Sequence, residues 1–225
     1  TVTCDGIWMD YTNVNSRCTR NLVVDSGRNG IFIEASQVPN LVDHNIVWNC
    51  RGVGFLNGDC DELIIAHNLV GASGGGVSIY TAGGRIVNGR EVTNKRNATL
   101  NNIFLDNASL RGNLDPESAS DYNVFVGENA KANIEGLRKV GWEANSAVAD
   151  ITATLDAKTL VMTWSGRGGV PSVSRLGGCD RDYLDAKRPG AAVVPGPFAE
   201  GPGRKRTLDL LAPSPWLREQ VEAGE

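Results

Sequence analysis

The sequence lacks the marks of membrane proteins and of nucleic-acid-binding proteins. No stretch approaches the ~18 consecutive apolar residues of a membrane span, and no amino-terminal segment resembles a signal peptide. The chain has 22 Lys and Arg against 26 Asp and Glu, a formal net charge of -4, whereas a nucleic-acid surface needs a basic excess to neutralise phosphates. We expect neither membrane nor nucleic acid as a partner. The compartment stays open between cytoplasm and secretion.

Metal-binding patterns are also scarce. The five cysteines include no Cys-x-x-Cys pair, and there are only two histidines. This spacing favours neither a zinc site nor a disulfide framework. The sequence therefore assigns no metal ligands, although a calcium site stays open, and the chemistry predicted below requires no cofactor.

Aromatic residues are few, with 5 Trp, 4 Tyr and 5 Phe, whereas glycine is frequent at 27 residues. This balance suits short strands and tight corners better than a helical bundle. An all-β fold is favoured.

Two columns of residues recur with a period of roughly two dozen positions, as in solenoid repeats. Glycines separated by 24, 22 and 24 residues precede short apolar runs at Gly6, Gly30, Gly52 and Gly76. Asparagines precede a second set of runs at Asn21, Asn45, Asn68, Asn102 and Asn123. Each repeat alternates apolar and polar residues and lacks the helix-forming half of ankyrin or leucine-rich repeats.

One such repeat is a single coil of a solenoid. Stacked coils bury their apolar side chains and align asparagines at the corners, where side-chain amides can bond from rung to rung. The predicted fold is an all-β, right-handed parallel β-helix whose coils, at 1–128, carry the candidate site. We expect residues 129–225 to hold a capping helix, the last strands and an irregular tail packed on the coils.

The wider step between Asn68 and Asn102 predicts an insertion at Thr81–Arg96, of the kind that forms a groove wall. An amphipathic pattern predicts a short helix over Ala130–Trp142. The run Leu160–Trp164 predicts a strand, and a last helix is expected around Trp216–Ala223.

Coil length brings two acids together. Strand alternation turns Asp10 and Glu34 outward on one face, and their separation of 24 residues is one coil. Adjacent strands lie about 4.8 Å apart, so the two side chains are expected to be neighbours. Two carboxyl groups roughly 5–5.5 Å apart are what a retaining glycosidase uses as nucleophile and general acid/base. In the alternative, the pair holds a cation or is neutralised by an arginine such as Arg17 or Arg51.

Aromatic residues flank these acids. Trp8 and Phe32 occupy equivalent outward positions two residues earlier, where rings can stack on sugar faces or be covered by another part of the protein. Tyr11 and Tyr80 complete the predicted substrate-binding set. His44 and His67 precede consecutive column asparagines; one coil apart, they could form a metal or substrate site or serve as corner residues.

Several segments, taken in order, resemble the catalytic coils of glycoside hydrolase family 120, the β-xylosidases built on a right-handed β-helix. They are Gly6–Tyr11, Ser16–Arg17, Arg20–Leu22, Ile31–Glu34 and Pro39–Ile46. The resemblance implies that Asp10 is the nucleophile and Glu34 the general acid/base. Tyr11 stands where that family often has tryptophan, and the insertion is shorter than in the xylosidases, so the sugar specificity stays open.

The resemblance also implies further coils upstream. We expect the first coil to meet a missing amino-terminal segment or a partner chain, which could be a second copy in a homo-oligomer.

The sequence thus predicts a glycosidase acting on β-linked sugars, with β-xylosides or xylo-oligosaccharides as candidate substrates. Two alternatives remain: a polysaccharide lyase, which needs a calcium cluster and a basic residue on the same face, and a non-catalytic glycan-binding or structural β-helix.

Overall fold

The computed structural model describes residues 3–106, 108–112 and 115–214. The coil strands follow in the order β1 (Ile7–Met9), β2 (Arg17–Thr19), β3 (Leu22–Val24), β4 (Ile31–Glu34), β5 (Asn40–Asp43), β6 (Ile46–Trp48), β7 (Val53–Gly58), β8 (Leu63–Ala66), β9 (Leu69–Gly71) and β10 (Gly75–Tyr80). Next comes a small hairpin of β11 (Ile86–Val87) and β12 (Arg90–Glu91). The coils resume with β13 (Ala98–Leu100), β14 (Ile103–Phe104), β15 (Leu110–Gly112), β16 (Ala119–Asp121) and β17 (Val124–Phe125). The last part holds α1 (Ala130–Arg138), β18 (Ala147–Val148), β19 (Asp150–Asp156), β20 (Val161–Arg167), β21 (Val173–Ser174), β22 (Ala192–Val193) and β23 (Arg206–Asp209).

Three parallel sheets form the walls of a β-helix of about six turns. The first sheet has the order β1-β4-β7-β10-β15, the second β2-β5-β8-β13-β16 and the third β3-β6-β9-β14-β17-β18. Each strand pairs with the strand one coil away, so the repeat period becomes the hydrogen-bonding register. The predicted parallel β-helix is confirmed.

The register corrects one alignment. Ile31 lies opposite Phe55, so Gly30 aligns with Gly54 rather than with Gly52. A Cβ atom on Gly30 would lie 2.6 Å from the carbonyl oxygen of Gly54, and a Cβ on Gly54 would lie 3.0 Å from that of Gly76. This close backbone approach between coils is the reason for the glycine column. The shift is two residues, so the inward and outward faces are unchanged.

The asparagine column forms a ladder at the corner between the second and third sheets. Each side-chain Nδ2 donates to the Oδ1 of the next asparagine at 2.9 to 3.1 Å, from Asn21 through Asn45, Asn68 and Asn102 to Asn123. The residue before each asparagine is in the left-handed region, with φ between 52° and 59°. These corner residues are Arg20, His44, His67, Asn101 and Tyr122.

The predicted insertion is the hairpin of β11 and β12. Its turn, Asn88-Gly89, has positive φ at both positions, as a tight two-residue hairpin requires. Val87 and Val92 pack against Ala35, and all three are buried. The hairpin is therefore fixed to the corner that follows β4, beside Glu34.

The carboxy-terminal part packs on the third sheet. Strands β19, β20 and β23 form an antiparallel sheet, and β20 confirms the strand expected near Trp164. A shared core contains Ile46 and Leu69 from the coils with Met162 and Trp164 from β20. The predicted helix is confirmed as α1, while β18 extends the coil stack beyond residue 128. The helix expected at Trp216–Ala223 lies outside the described residues.

In the part of the chain that the structure describes, no helix has both the length and the apolarity to cross a membrane. All five cysteines are unpaired thiols, four of them buried.

Candidate active site

The two acids lie on neighbouring coils, at the carboxy-terminal ends of two adjacent strands of the first sheet. Met9 pairs with Ile33, so Asp10, directly after β1, falls opposite Glu34, the last residue of β4. Met9 and Ile33 pack in the interior, and alternation turns both acids outward. The predicted adjacency of Asp10 and Glu34 along the stack is present at the level of the backbone register.

Glu34 is held by two donors, one on each oxygen. Trp8 Nε1 donates to Oε2 at 3.0 Å, and Arg85 Nη1 donates to Oε1 at 2.5 Å. The same Arg85 nitrogen lies 3.3 Å from Oδ2 of Asp59, a carboxylate with no solvent exposure. Glu34 is itself 8% exposed. Its carboxylate therefore has a fixed orientation and a cationic partner.

Asp10 has a different environment. It is exposed, and among the described residues no hydrogen-bond donor or ion-pair partner contacts its carboxylate. The two acids thus differ in solvent access and in partners. This asymmetry is the kind that separates two carboxyl groups into different roles.

The aromatic residues form a stack rather than an open ladder. The rings of Trp8 and Phe32 are nearly parallel with centroids 5.5 Å apart, and Phe32 lies 6.4 Å from Tyr80. Trp8 is 54% exposed, whereas Phe32 is only 4% exposed. Phe32 is therefore a support beneath Trp8, and Trp8 offers the open ring face.

Tyr80 reaches this stack because its coil neighbour is a glycine. A Cβ on Gly58 would lie 2.6 Å from the Tyr80 ring, so the ring occupies the space above Gly58. Burial, together with the negative charges of Glu34 and Asp59, raises the pKa of Tyr80. Tyr80 is thus an uncharged side chain that borders the site.

Arg85 closes the other side and was not among the sequence candidates. Its guanidinium carbon lies 4.7 Å from the Tyr11 ring centroid, and its Nε lies 3.4 Å from the Tyr11 hydroxyl. The hydrogen bond to Glu34, then that to Tyr11, raises the pKa of Arg85. The sequence feature that could have indicated Arg85 was its position within the predicted insertion, Thr81–Arg96.

The arginines proposed from the sequence as partners of the acid pair do not serve that purpose. Arg17 donates two hydrogen bonds of 2.7 Å to Asp43 on the second sheet. Arg51 is exposed at the far side of the coil, near Asp25 and Asn49. Arg85 takes the place that was expected for one of them.

A second polar cluster lies at the asparagine corner. The His44 and His67 rings stack with centroids 5.2 Å apart, and both residues are fully buried. His44 Nδ1 contacts Asp43 at 2.7 Å, and its Nε2 accepts from Arg188 at 2.6 Å. Asp43, His44 and Cys179 bring metal-ligand atoms within 4.8 Å of one another.

The chemistry of this cluster does not suit a cation. Asp43 already accepts from Arg17 and His44, and these bonds lower its pKa to about 2 although burial acts in the opposite direction. Burial raises the pKa of Cys179 to about 12, which disfavours the thiolate that a metal would need. Two guanidinium groups, of Arg17 and Arg188, would also repel a metal ion. The cluster instead joins the carboxy-terminal segment to the coils.

Comparison of the chain with protein-family models, with curated proteins and with solved structures finds no match. The family resemblance therefore has the residues quoted above as its only support. The functional argument rests on the geometry around Glu34.

Proposed function

We propose that the protein is a retaining glycoside hydrolase that acts on short β-linked saccharides or glycosides. β-Xylosides and xylo-oligosaccharides are the first substrates to test because of the resemblance of the first fifty residues. The proposal needs no cofactor.

The observation that carries the proposal is the outward pairing of Asp10 and Glu34 on adjacent coils. Neighbouring strands are about 4.8 Å apart, close to the carboxyl separation of roughly 5–5.5 Å in retaining glycosidases. The strand spacing can supply this separation without a specialised loop.

The proposed first step forms a covalent glycosyl-enzyme. Asp10 attacks the anomeric carbon while the bond between that carbon and the leaving oxygen breaks. Protonated Glu34 gives its proton to the leaving oxygen. In the second step Glu34 removes a proton from water, which attacks the anomeric carbon and releases Asp10. Two inversions leave the anomeric configuration unchanged.

Trp8 supports a sugar as the substrate. Its exposed ring lies on the same face as the acids and is backed by Phe32. Sugar rings present apolar C-H faces that stack on such surfaces, and a ring already fixed by a neighbour costs little ordering on binding.

The test is hydrolysis of an aryl β-xyloside by the wild type, Asp10→Asn and Glu34→Gln. We expect each variant to lose at least about a thousandfold in turnover, since both groups act in the same steps. Glu128→Gln, which changes an exposed acid just before α1, is the matched control and should keep wild-type activity. Thermal unfolding should show all four proteins folded. Normal turnover in either site variant would remove the proposal.

A polysaccharide lyase is the second candidate, because Arg85 places a basic side chain beside Glu34 and Asp59. A calcium cluster is its other requirement, and among the described residues no group of three metal-ligand atoms within 4.8 Å lies at this site. Ultraviolet absorbance from an unsaturated sugar, lost with a chelator, would favour this candidate. Sugar binding without any turnover would favour the non-catalytic alternative.

A further inference from the structure

The hairpin residue Arg85 is the one cation that contacts both Glu34 and Asp59 within the described part of the chain. We infer that Arg85 is a positioning residue, which fixes the orientation of the Glu34 carboxylate against Trp8. The catalytic consequence rests on the proposed function, whereas the pairing itself can be tested without it.

The backbone on both sides of Arg85 is fixed to the coils. Before it, the amide of Ala82 donates to Asp59 Oδ1 at 2.7 Å. After it, Asn94 Nδ2 donates to the Tyr80 carbonyl at 2.8 Å. Together with the packing of the hairpin on Ala35, these contacts direct Arg85 at the acids rather than into solvent.

The contacts of Glu34 leave its carboxylate little freedom to turn. Each oxygen accepts from a different donor, Trp8 on one side and Arg85 on the other. Charge-assisted hydrogen bonds of this kind are short and directional. A carboxyl group held in this way needs no reorganisation before substrate arrives, which is the preorganisation that catalysis requires.

The same contacts impose a condition on catalysis. A general acid must carry a proton, and a guanidinium beside a carboxylate favours the charged form. Arg85 already lies 3.3 Å from Asp59, so a small movement would transfer its ion pair from Glu34 to Asp59. Without this counter-charge, Glu34 is free to act as the general acid of the proposed reaction.

Several charged and polar groups face Glu34. Trp8 and Asp10 belong to the first coil, Asp59 and Tyr80 to the two following coils, and Arg85 to the hairpin. Arg85 is the positive charge among three acids. Its removal would leave these acids without a counter-charge and Glu34 Oε1 without its donor.

The test uses the Trp8 indole as a reporter. The Nε1–H resonance of Trp8, assigned by its loss in Trp8→Phe, reports the hydrogen bond to Glu34. In Arg85→Ala we expect this indole proton to exchange with solvent about tenfold faster or more at constant pH, because a carboxylate released by one donor can turn away from the other. Arg85→Lys should fall between the two. Arg90→Ala, an exposed arginine of the same hairpin, should match the wild type.

An equal exchange rate in the wild type and Arg85→Ala would overturn the inference, as would a Trp8 indole proton that is not protected from exchange in the folded wild type. A large loss of structure in Arg85→Ala would leave Arg85→Lys to decide between these outcomes.

Activity provides the second readout. Arg85→Ala should lower kcat for an aryl β-xyloside by about tenfold or more, because a misplaced acid slows the chemical step, and free guanidinium should restore part of it. Loss of stability alone would give no rescue. Faster exchange of the Trp8 indole proton in Arg85→Ala without hydrolysis by the wild type would remove the proposed function and leave the Arg85 pairing intact.

Discussion

Trp8 Nε1 donates a 3.0 Å hydrogen bond to Oε2 of Glu34, 26 residues further along the chain. The exposed ring that could carry a sugar is thus tied to one of the two acids that would cleave it. A change at either residue should therefore affect both binding and chemistry.

Trp8→Phe should separate these two contributions. Phenylalanine keeps a ring over Phe32 but removes the donor to Glu34, so we expect a fall in kcat with a smaller change in KM. Trp8→Ala should in addition weaken substrate binding by about tenfold, since stacking contributes roughly 1 kcal/mol or more. Steady-state kinetics of both variants would show the difference. A wild-type kcat in Trp8→Phe would mean that the hydrogen bond has no catalytic role, and equal KM values in the two variants would mean that the ring does not bind the sugar.

Gly58 tests the position of Tyr80. Alanine there would place its Cβ 2.6 Å from the Tyr80 ring, and we expect a loss of about 1–3 kcal/mol in unfolding free energy, as in overpacked cores. The same substitution in a Tyr80→Ala background should cost far less. Gly136→Ala, on α1 with open space around it, is the control and should stabilise by about 0.5–1 kcal/mol. Equal costs of Gly58→Ala in both backgrounds would contradict the contact.

Asn68 tests the ladder. Its Nδ2 donates to Asn102 Oδ1 and to the Val42 carbonyl, both at 3.0 Å, and its Oδ1 accepts from Asn45. Asn68→Asp keeps the shape but removes the donor, so the Val42 carbonyl loses its side-chain partner while Asn102 Oδ1 keeps the backbone amide of Asn68. We expect a loss of about 1–3 kcal/mol, the cost of one unsatisfied buried group, measured by urea unfolding. A variant as stable as the wild type would show that the ladder is not a source of stability.

Glu143 should make stability depend on pH. It is fully buried and accepts hydrogen bonds from Ser120, Ser146 and Asn123, yet burial dominates and raises its pKa above the ordinary 4.5. A raised pKa means that the folded state binds the proton more tightly than the unfolded state. This contribution is present at low pH and is lost as pH rises above 4.5 through the folded value.

Glu143→Gln removes this dependence and should be more stable than the wild type at neutral pH, with the difference vanishing towards pH 4.5. Unfolding curves at several pH values would measure it. A difference that grows on acidification would reverse the sign and contradict the assignment.

The repeat period was enough to predict most of the fold and the relative positions of Asp10 and Glu34. One coil of 24 residues fixed which strands pair, and it placed Asp10 opposite Glu34. Strand alternation decided that both face outward, and a two-residue error at the third coil left this unchanged because alternation has a period of two.

The rest depends on contacts that no period describes. Arg85 reaches Glu34 from 51 residues away through an insertion whose hairpin angle is set by packing on Ala35. Arg188 meets His44 across 144 residues. Phe32 is covered because Tyr80 turns over Gly58, a rotamer choice that only the assembled coils determine.

The most direct measurement is mass spectrometry of the protein after incubation with a 2-deoxy-2-fluoro xyloside that carries a good leaving group. Such sugars slow the breakdown of a glycosyl-enzyme more than its formation, so the intermediate accumulates. The account predicts one added sugar on the peptide that contains Asp10, with faster loss of the label in wild type than in Glu34→Gln. A label on any other residue, or turnover of the parent xyloside with no label at all, would contradict it.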